Sequence, residues 1–250
     1  CAFTYDFELA PFYPGSGGNS TRGGSAIRIF ASDVVLDGTI NVSGGNGTTG
    51  GSGGSVWLRA ARLAGSGTVS ANGGNTAHSD GGGAGGRIAF WQDEATDFGD
   101  WKGKATAYGG TPTGHYSSDK VSVVSGGAGT IYLQAAGQTV TNATVIVADN
   151  PSLKIYSAFH AWAELNAKCG ADAVGTVIMT NNGCVAVDSG AELKVYGDWI
   201  ARGGRDDMRG GTVRFAGDRA ATVTGAASEA FKAFSNVALT LPDGWQGELP

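Results

Sequence analysis

Four carboxylates, Asp93, Glu94, Asp97 and Asp100, stand in one short stretch framed by Trp91 and Trp101. Carboxylate oxygens at this density can form the donor set of a calcium site, and indole faces beside them suit stacking on a sugar ring. The spacing is not that of an EF-hand loop, which places Gly at its sixth position and Glu at its twelfth. A solvated acidic loop is the other reading of the same residues. A glycoside hydrolase needs two carboxylates ~5–9.5 Å apart across the scissile bond. A lyase needs a carboxylate-bound cation and a base that removes a proton. The stretch therefore supplies candidate ligand-binding residues, with Ca²⁺ as the one cofactor they suit, and no catalytic assignment.

Other reactive residues are scattered. Arg202 stands just before one glycine pair, and Arg205, Asp206, Asp207 and Arg209 lie between that pair and the next. They read either as exposed ion pairs of little consequence or as a site for the carboxylates or sulfates of a polysaccharide. The Asn-Thr-Asp, Gly-His-Gly and Arg-Ile-Lys runs of polygalacturonase-like hydrolases do not accompany them. His78, His115 and His160 have no second His or Cys at ligand spacing, so no zinc site is expected. The glycine runs lack both the Gly-Lys-Ser/Thr of a phosphate loop and the Asp of calcium-binding nonapeptides. Cys169 and Cys184 read as a disulfide closing a loop of about 15 residues, worth roughly 3 kcal/mol, or as two buried thiols. Cys1 reads as a lipid-bearing N-terminal cysteine or as the start of a mature or excised piece of something longer.

The elements that must position these residues are repeats. Gly23-Gly24-Ser25-Ala26-Ile27-Arg28-Ile29 returns as Gly53-Gly54-Ser55-Val56-Trp57-Leu58 and as Gly85-Gly86-Arg87-Ile88-Ala89-Phe90. Asp37-Gly38-Thr39-Ile40-Asn41-Val42-Ser43-Gly44-Gly45-Asn46 returns as Ser66-Gly67-Thr68-Val69-Ser70-Ala71-Asn72-Gly73-Gly74-Asn75. A unit of about 30 residues cannot bury a core alone and must stack on its copies. The expected class is all-β, a parallel β-helix (β-solenoid), right-handed by the default of parallel crossovers, with glycine at its corners. At ~4.8 Å per coil the body would be a rod about 40–60 Å long.

Composition agrees. Glycine fills 44 of 250 positions without a three-residue period, which excludes collagen. The glycines alternate with runs of Val, Ile, Leu and aromatics in a chain that is 41% hydrophobic, which argues against disorder. A net charge of −5 without clustered Lys or Arg gives no nucleic-acid surface. No run of 18 apolar residues is present to span a bilayer, and no charged-then-apolar leader opens the chain.

Three stretches follow. Residues 1–22, with strand-like Ala2 to Leu9, read as an N-terminal cap or edge strand. Residues 23–136 read as glycine-rich coils with inserted loops at 91–104 and 111–120. Residues 137–250 continue the coils with fewer glycine pairs, through strands at 153–155, 185–187, 193–195 and 213–215, and a helical turn at 161–168. Alternation points Ile27 and Ile29, Val56 and Leu58, Ile88 and Phe90, and Ile131 and Leu133 inward. It leaves Arg28, Trp57, Tyr132, Lys154, Lys194 and Arg214 outward. In one sheet these would make an aromatic and basic face for glycans or acidic polymers, or an ordinary solvated face. Trp57 and Tyr132 join the candidate ligand-binding residues on that basis. Sequons stand at Asn19, Asn41, Asn46 and Asn142 and mark surface loops in a eukaryotic source.

The run GGSGGSVWLRAARLAGSGTVSANGG at 50–74, the glycine-rich starts at 81–89 and 126–133, and GGTVRFAGDRAATVTG at 210–225 resemble the glycine-rich β-solenoid repeats of large secreted and cell-surface proteins of the adhesin-like and autotransporter-like kind. The resemblance implies coil geometry and an extracellular or cell-surface location, and carries no reaction. The expected function is a non-catalytic structural or adhesive segment of a surface or filament-forming protein. Its partners would be neighbouring copies or flanking coils, and extracellular glycans. A polysaccharide-binding or polysaccharide-degrading β-helix module is the alternative.

Overall fold

The computed structural model describes residues 9–76, 81–112, 125–148, 173–181, 183–187, 192–202, 205–207, 212–218, 220–224 and 237–239. Among them every regular element is a strand, and the protein is all-β. In chain order these are β1 (Ala26–Val35), β2 (Thr39–Asn41), β3 (Ser55–Ala64), β4 (Thr68–Ser70), β5 (Arg87–Gln92), β6 (Lys104–Thr106), β7 (Thr130–Gln134), β8 (Thr144–Ala148), β9 (Ala173–Val174), β10 (Thr176–Thr180), β11 (Cys184–Ala186), β12 (Glu192–Val195), β13 (Trp199–Arg202), β14 (Arg205–Asp207), β15 (Thr212–Phe215), β16 (Val223–Thr224) and β17 (Val237–Leu239). Of the sequence-based strand at 2–9 only Leu9 is described, and it is in no strand; the strand at 153–155, the helical turn at 161–168, Lys154, Cys169, Arg209 and the three histidines lie outside the described residues. So do the side chains of Cys184, Arg202, Arg205, Asp206 and Asp207.

An eight-stranded sheet runs β1-β3-β5-β7-β8-β10-β13-β16. Shorter sheets run β2-β4-β6, β17-β15-β12-β9 and β11-β14. Equivalent repeats pair in parallel register, as the recurring sequence elements require: Ile27 stands by Val56, Val56 by Ile88, and Ile88 by Ile131. One junction departs from that rule. Strands β7 and β8 pair antiparallel, Ile131 against Ile146 and Tyr132 against Val145. Every strand of the large sheet after β7 therefore runs opposite to those before it.

The buried face changes at the same place. In the first part Val56, Leu58, Ile88, Phe90 and Ile131 point to one apolar cluster, completed by Val42, Leu63 and Val69. In the second part Val145, Val147, Val177, Met179 and Trp199 point to the other face, where Val185, Leu193, Val195, Val213 and Phe215 close over them. Ala89 and Tyr132, which alternation alone places on an outer face, belong to this second cluster and are buried. A single sheet thus serves two cores, one on each side.

The reversal is made by residues 135–143. Gly137 takes φ +74, and the Gln138 side chain accepts from Ala135 N–H at 2.8 Å while Gln138 N–H donates to the Ala135 carbonyl. The next turn repeats the device. Asn142 Oδ1 accepts from Thr139 N–H at 2.6 Å, and Asn142 and Ala143 N–H donate to the Thr139 carbonyl. Amide side chains satisfy backbone groups that a tight turn leaves over.

Glycine replaces side-chain packing in part of the first half. Gly51 N–H donates to Gly45, Gly74 to Gly51, Gly83 to Gly74, Gly110 to Gly83 and Gly126 to Gly110, all at 2.8–3.0 Å. A Cβ on Gly74 would collide with the carbonyl of Gly45, and one on Gly83 with that of Gly51. These segments form a slab of backbone bonded to backbone, whose close approach excludes any side chain.

Candidate functional site

The acidic insertion folds back onto the strand before it. Arg59 on β3 donates from Nε to both oxygens of Asp93, at 3.1 and 2.9 Å, which raises the arginine pKa further above its ordinary value. Glu94 lies 3.7 Å from Arg62. Asp97 Oδ1 accepts from Gly99 N–H within its own turn. Gln92, which the sequence reading passed over, anchors the loop from the core: its Oε1 accepts from Leu63 N–H at 2.7 Å and its Nε2 donates to the Asp97 carbonyl at 2.6 Å. Trp101 packs edge-on against Phe90 at 5.7 Å, on the first cluster. Trp91 points to the opposite face, so the two tryptophans do not flank one site. No group of three or more His, Cys, Asp or Glu is placed to hold a metal ion among the described residues.

The aromatic face is continuous in the first half. Phe30, Trp57, Trp91 and Tyr132 follow one another at centroid distances of 5.0, 6.2 and 6.0 Å, and the Arg59 guanidinium lies 5.4 Å over Trp91. Part of this face is covered. The segment before β1 crosses it: Trp91 Nε1 donates to the Leu9 carbonyl at 2.7 Å, Ser55 Oγ to the Tyr13 carbonyl at 2.6 Å, and Arg28 sits over Phe12. Burial pushes the Tyr132 phenol up to about 12, and its hydroxyl donates to Gln134 Oε1 at 2.6 Å. Lys194 and Arg214 are on the four-stranded sheet instead, adjacent in register. There Arg214 donates to Glu192 at 2.8 Å and holds that carboxyl below its usual range. The outward residues read together from the sequence therefore divide between two sheets.

A second feature escaped the sequence reading. Beside β2, β4 and β6 lies an open groove of about 330 Å³, lined by Asn41, Ser43, Gly44, Asn46, Asn72, Gly73, Asn75, Tyr108 and Gly109. Two rows of polar side chains form its sides. In one, Ser43 Oγ accepts from Asn72 N–H at 3.1 Å and Asn72 Oδ1 from Tyr108 N–H at 2.8 Å. In the other, Asn46 Oδ1 accepts from Asn75 N–H at 2.7 Å and Asn75 Oδ1 from Thr111 N–H at 2.8 Å. Glycines floor it, with Gly44 N–H bonded to the Asn72 carbonyl and Gly73 N–H to that of Tyr108.

No protein-family model, curated protein or solved structure matches this chain. The groove's signal was present in the repeat itself, where Ser43 and Asn46 return as Asn72 and Asn75. Polar residues at matched positions of stacked units make rows. Two of the four sequons, Asn41 and Asn46, stand in this groove, and Asn142 caps the reversal turn.

Proposed function

We propose that the chain is a non-catalytic structural or adhesive segment, a β-solenoid that extends by end-to-end stacking on a copy of itself or on flanking coils, outside the cell or at its surface. The parallel registers of equivalent repeats support the solenoid reading. Reversing strand direction and exchanging the buried face are two sign changes, so the chain would wind in the same sense on both sides of β7–β8.

The observation that carries the proposal is strand β1. It is ten residues long and, among the described residues, pairs on one side only, with β3. Phe30 and Val35 are 58% and 71% exposed, and Ile27 and Ile29 remain half-buried although their equivalents Val56 and Leu58 are buried. A long strand whose second edge meets no described strand, with apolar side chains, is a template for another strand. Sedimentation velocity over a range of concentrations tests it. The unmodified chain should form larger species as concentration rises, and Phe30→Lys with Val35→Lys should stay monomeric while still folding cooperatively, with Tm lowered only by the lost Phe30–Trp57 ring contact. A chain that is monomeric at every concentration contradicts the proposal.

A further inference from the structure

We propose that the groove between the two polar rows binds an uncharged oligosaccharide laid along the stacking direction. The inference does not rest on end-to-end assembly, since a monomer carries the same groove.

Charge narrows the ligand first. None of the nine lining residues is ionisable at neutral pH, so the groove offers nothing to neutralise a uronate, sulfate or phosphate. Hydrogen-bond capacity narrows it further. A side-chain amide has two donors on Nδ2 and an acceptor on Oδ1. The Oδ1 atoms of Asn41, Asn46, Asn72 and Asn75 accept from the backbone N–H groups of Ser43, Asn75, Tyr108 and Thr111 respectively. Their Nδ2 groups donate to no described residue. The groove thus fixes its amides through the acceptor and presents the donors. Its matching ligand supplies acceptor oxygens without bringing donors that must be paired inside.

That condition separates a sugar from a peptide. An extended peptide carries a backbone N–H at every residue, and buried N–H groups without acceptors are unfavourable. A sugar hydroxyl accepts from the amide through its oxygen and turns its proton to solvent across the open side. The donors recur once per layer, ~4.8 Å apart, which suits a polymer that repeats its own acceptors. Tyr108 adds a ring at one end of the row for stacking on a pyranose face.

The test is calorimetric titration of the full chain with uncharged hexasaccharides (cello-, xylo-, manno-, malto- and chitohexaose), with hexagalacturonate and an uncharged ten-residue peptide as comparators. Asn72→Asp and Asn75→Asp are the informative variants. Each keeps the oxygen that accepts from the next layer and replaces the donors with an acceptor. Tm and circular dichroism report whether the fold persists. The expected result is binding of at least one uncharged hexasaccharide, weakened about tenfold or more in each folded variant. Saturation by hexagalacturonate or peptide alone, failure of every uncharged hexasaccharide at millimolar concentration, or equal affinity in the folded variants would each overturn the proposal. If a variant unfolds, Asn72→Gln, which retains both functions on a longer arm, replaces it, and unchanged affinity there counts against the site.

Discussion

Tyr132 and Val145 stand opposite each other across the antiparallel pair β7–β8, facing one apolar cluster, while their neighbours Ile131 and Ile146 face the other. This is where a sheet built on one core hands over to a second. The tyrosine brings a phenol into that handover, and its ionisation couples stability to pH.

The phenol's pKa is raised by burial from the ordinary 10.0 to about 12. Between those values the unfolded chain gives up the proton and the folded chain keeps it. The contribution is fully present below pH 10 and is lost as pH rises toward 12, by roughly 3 kcal/mol in all. Tyr132→Phe should cost about 1 kcal/mol at neutral pH through the lost bond to Gln134. Denaturation followed from pH 9 to 12 should then show a shallower decline than in the unmodified chain. Parallel declines would place the phenol's titration elsewhere.

Three glycine substitutions should rank by mechanism. Gly83→Ala drives a methyl into the Gly51 carbonyl within the backbone slab. It should cost at least about 3 kcal/mol or prevent folding. Gly137→Ala meets no neighbouring atom but must hold φ +74, at about 1 kcal/mol. Gly38→Ala meets neither obstacle and should be neutral or stabilise by up to about 1 kcal/mol. Tm values in any other order would contradict the account of the slab.

The acidic insertion should behave as a folded loop held by arginine. Asp93 and Arg59 are about half exposed, at 47% and 46%, so Asp93→Ala should cost less than about 1 kcal/mol. Millimolar calcium should leave the Tm of both proteins unchanged. A calcium-dependent rise in the unmodified chain that disappears in Asp93→Ala would restore a cation site to the insertion.

Gln92 should matter more than any of these carboxylates. Its buried amide ties Leu63 to Asp97, using both acceptor and donor. Gln92→Leu leaves two backbone groups unpaired and should cost about 2–3 kcal/mol. A loss below about 0.5 kcal/mol, within the range of ordinary surface substitutions, would mean the loop holds without it.

The strands of the first half were legible because Ile27-Arg28-Ile29 and Val56-Trp57-Leu58 alternate cleanly and recur. The reversal was not. Thr144-Val145-Ile146-Val147-Ala148 is apolar at nearly every position, so its pattern names neither a buried face nor a direction, and antiparallel pairing follows from the turn at 135–143. Trp57 and Tyr132 read as outward for the same reason. Period two separates two faces but does not say that the chain returns to cover the second. The asparagine rows were visible as recurrence, and became a groove only once stacking put one layer's Oδ1 on the next layer's N–H.

The most direct test of the proposed assembly is cryo-electron microscopy of the purified native material at near-physiological salt. The account predicts filaments in which copies join through the β1 end, with the β-sheet spacing continuing across the junction. Isolated particles whose β1 edge is covered by the same chain would contradict it.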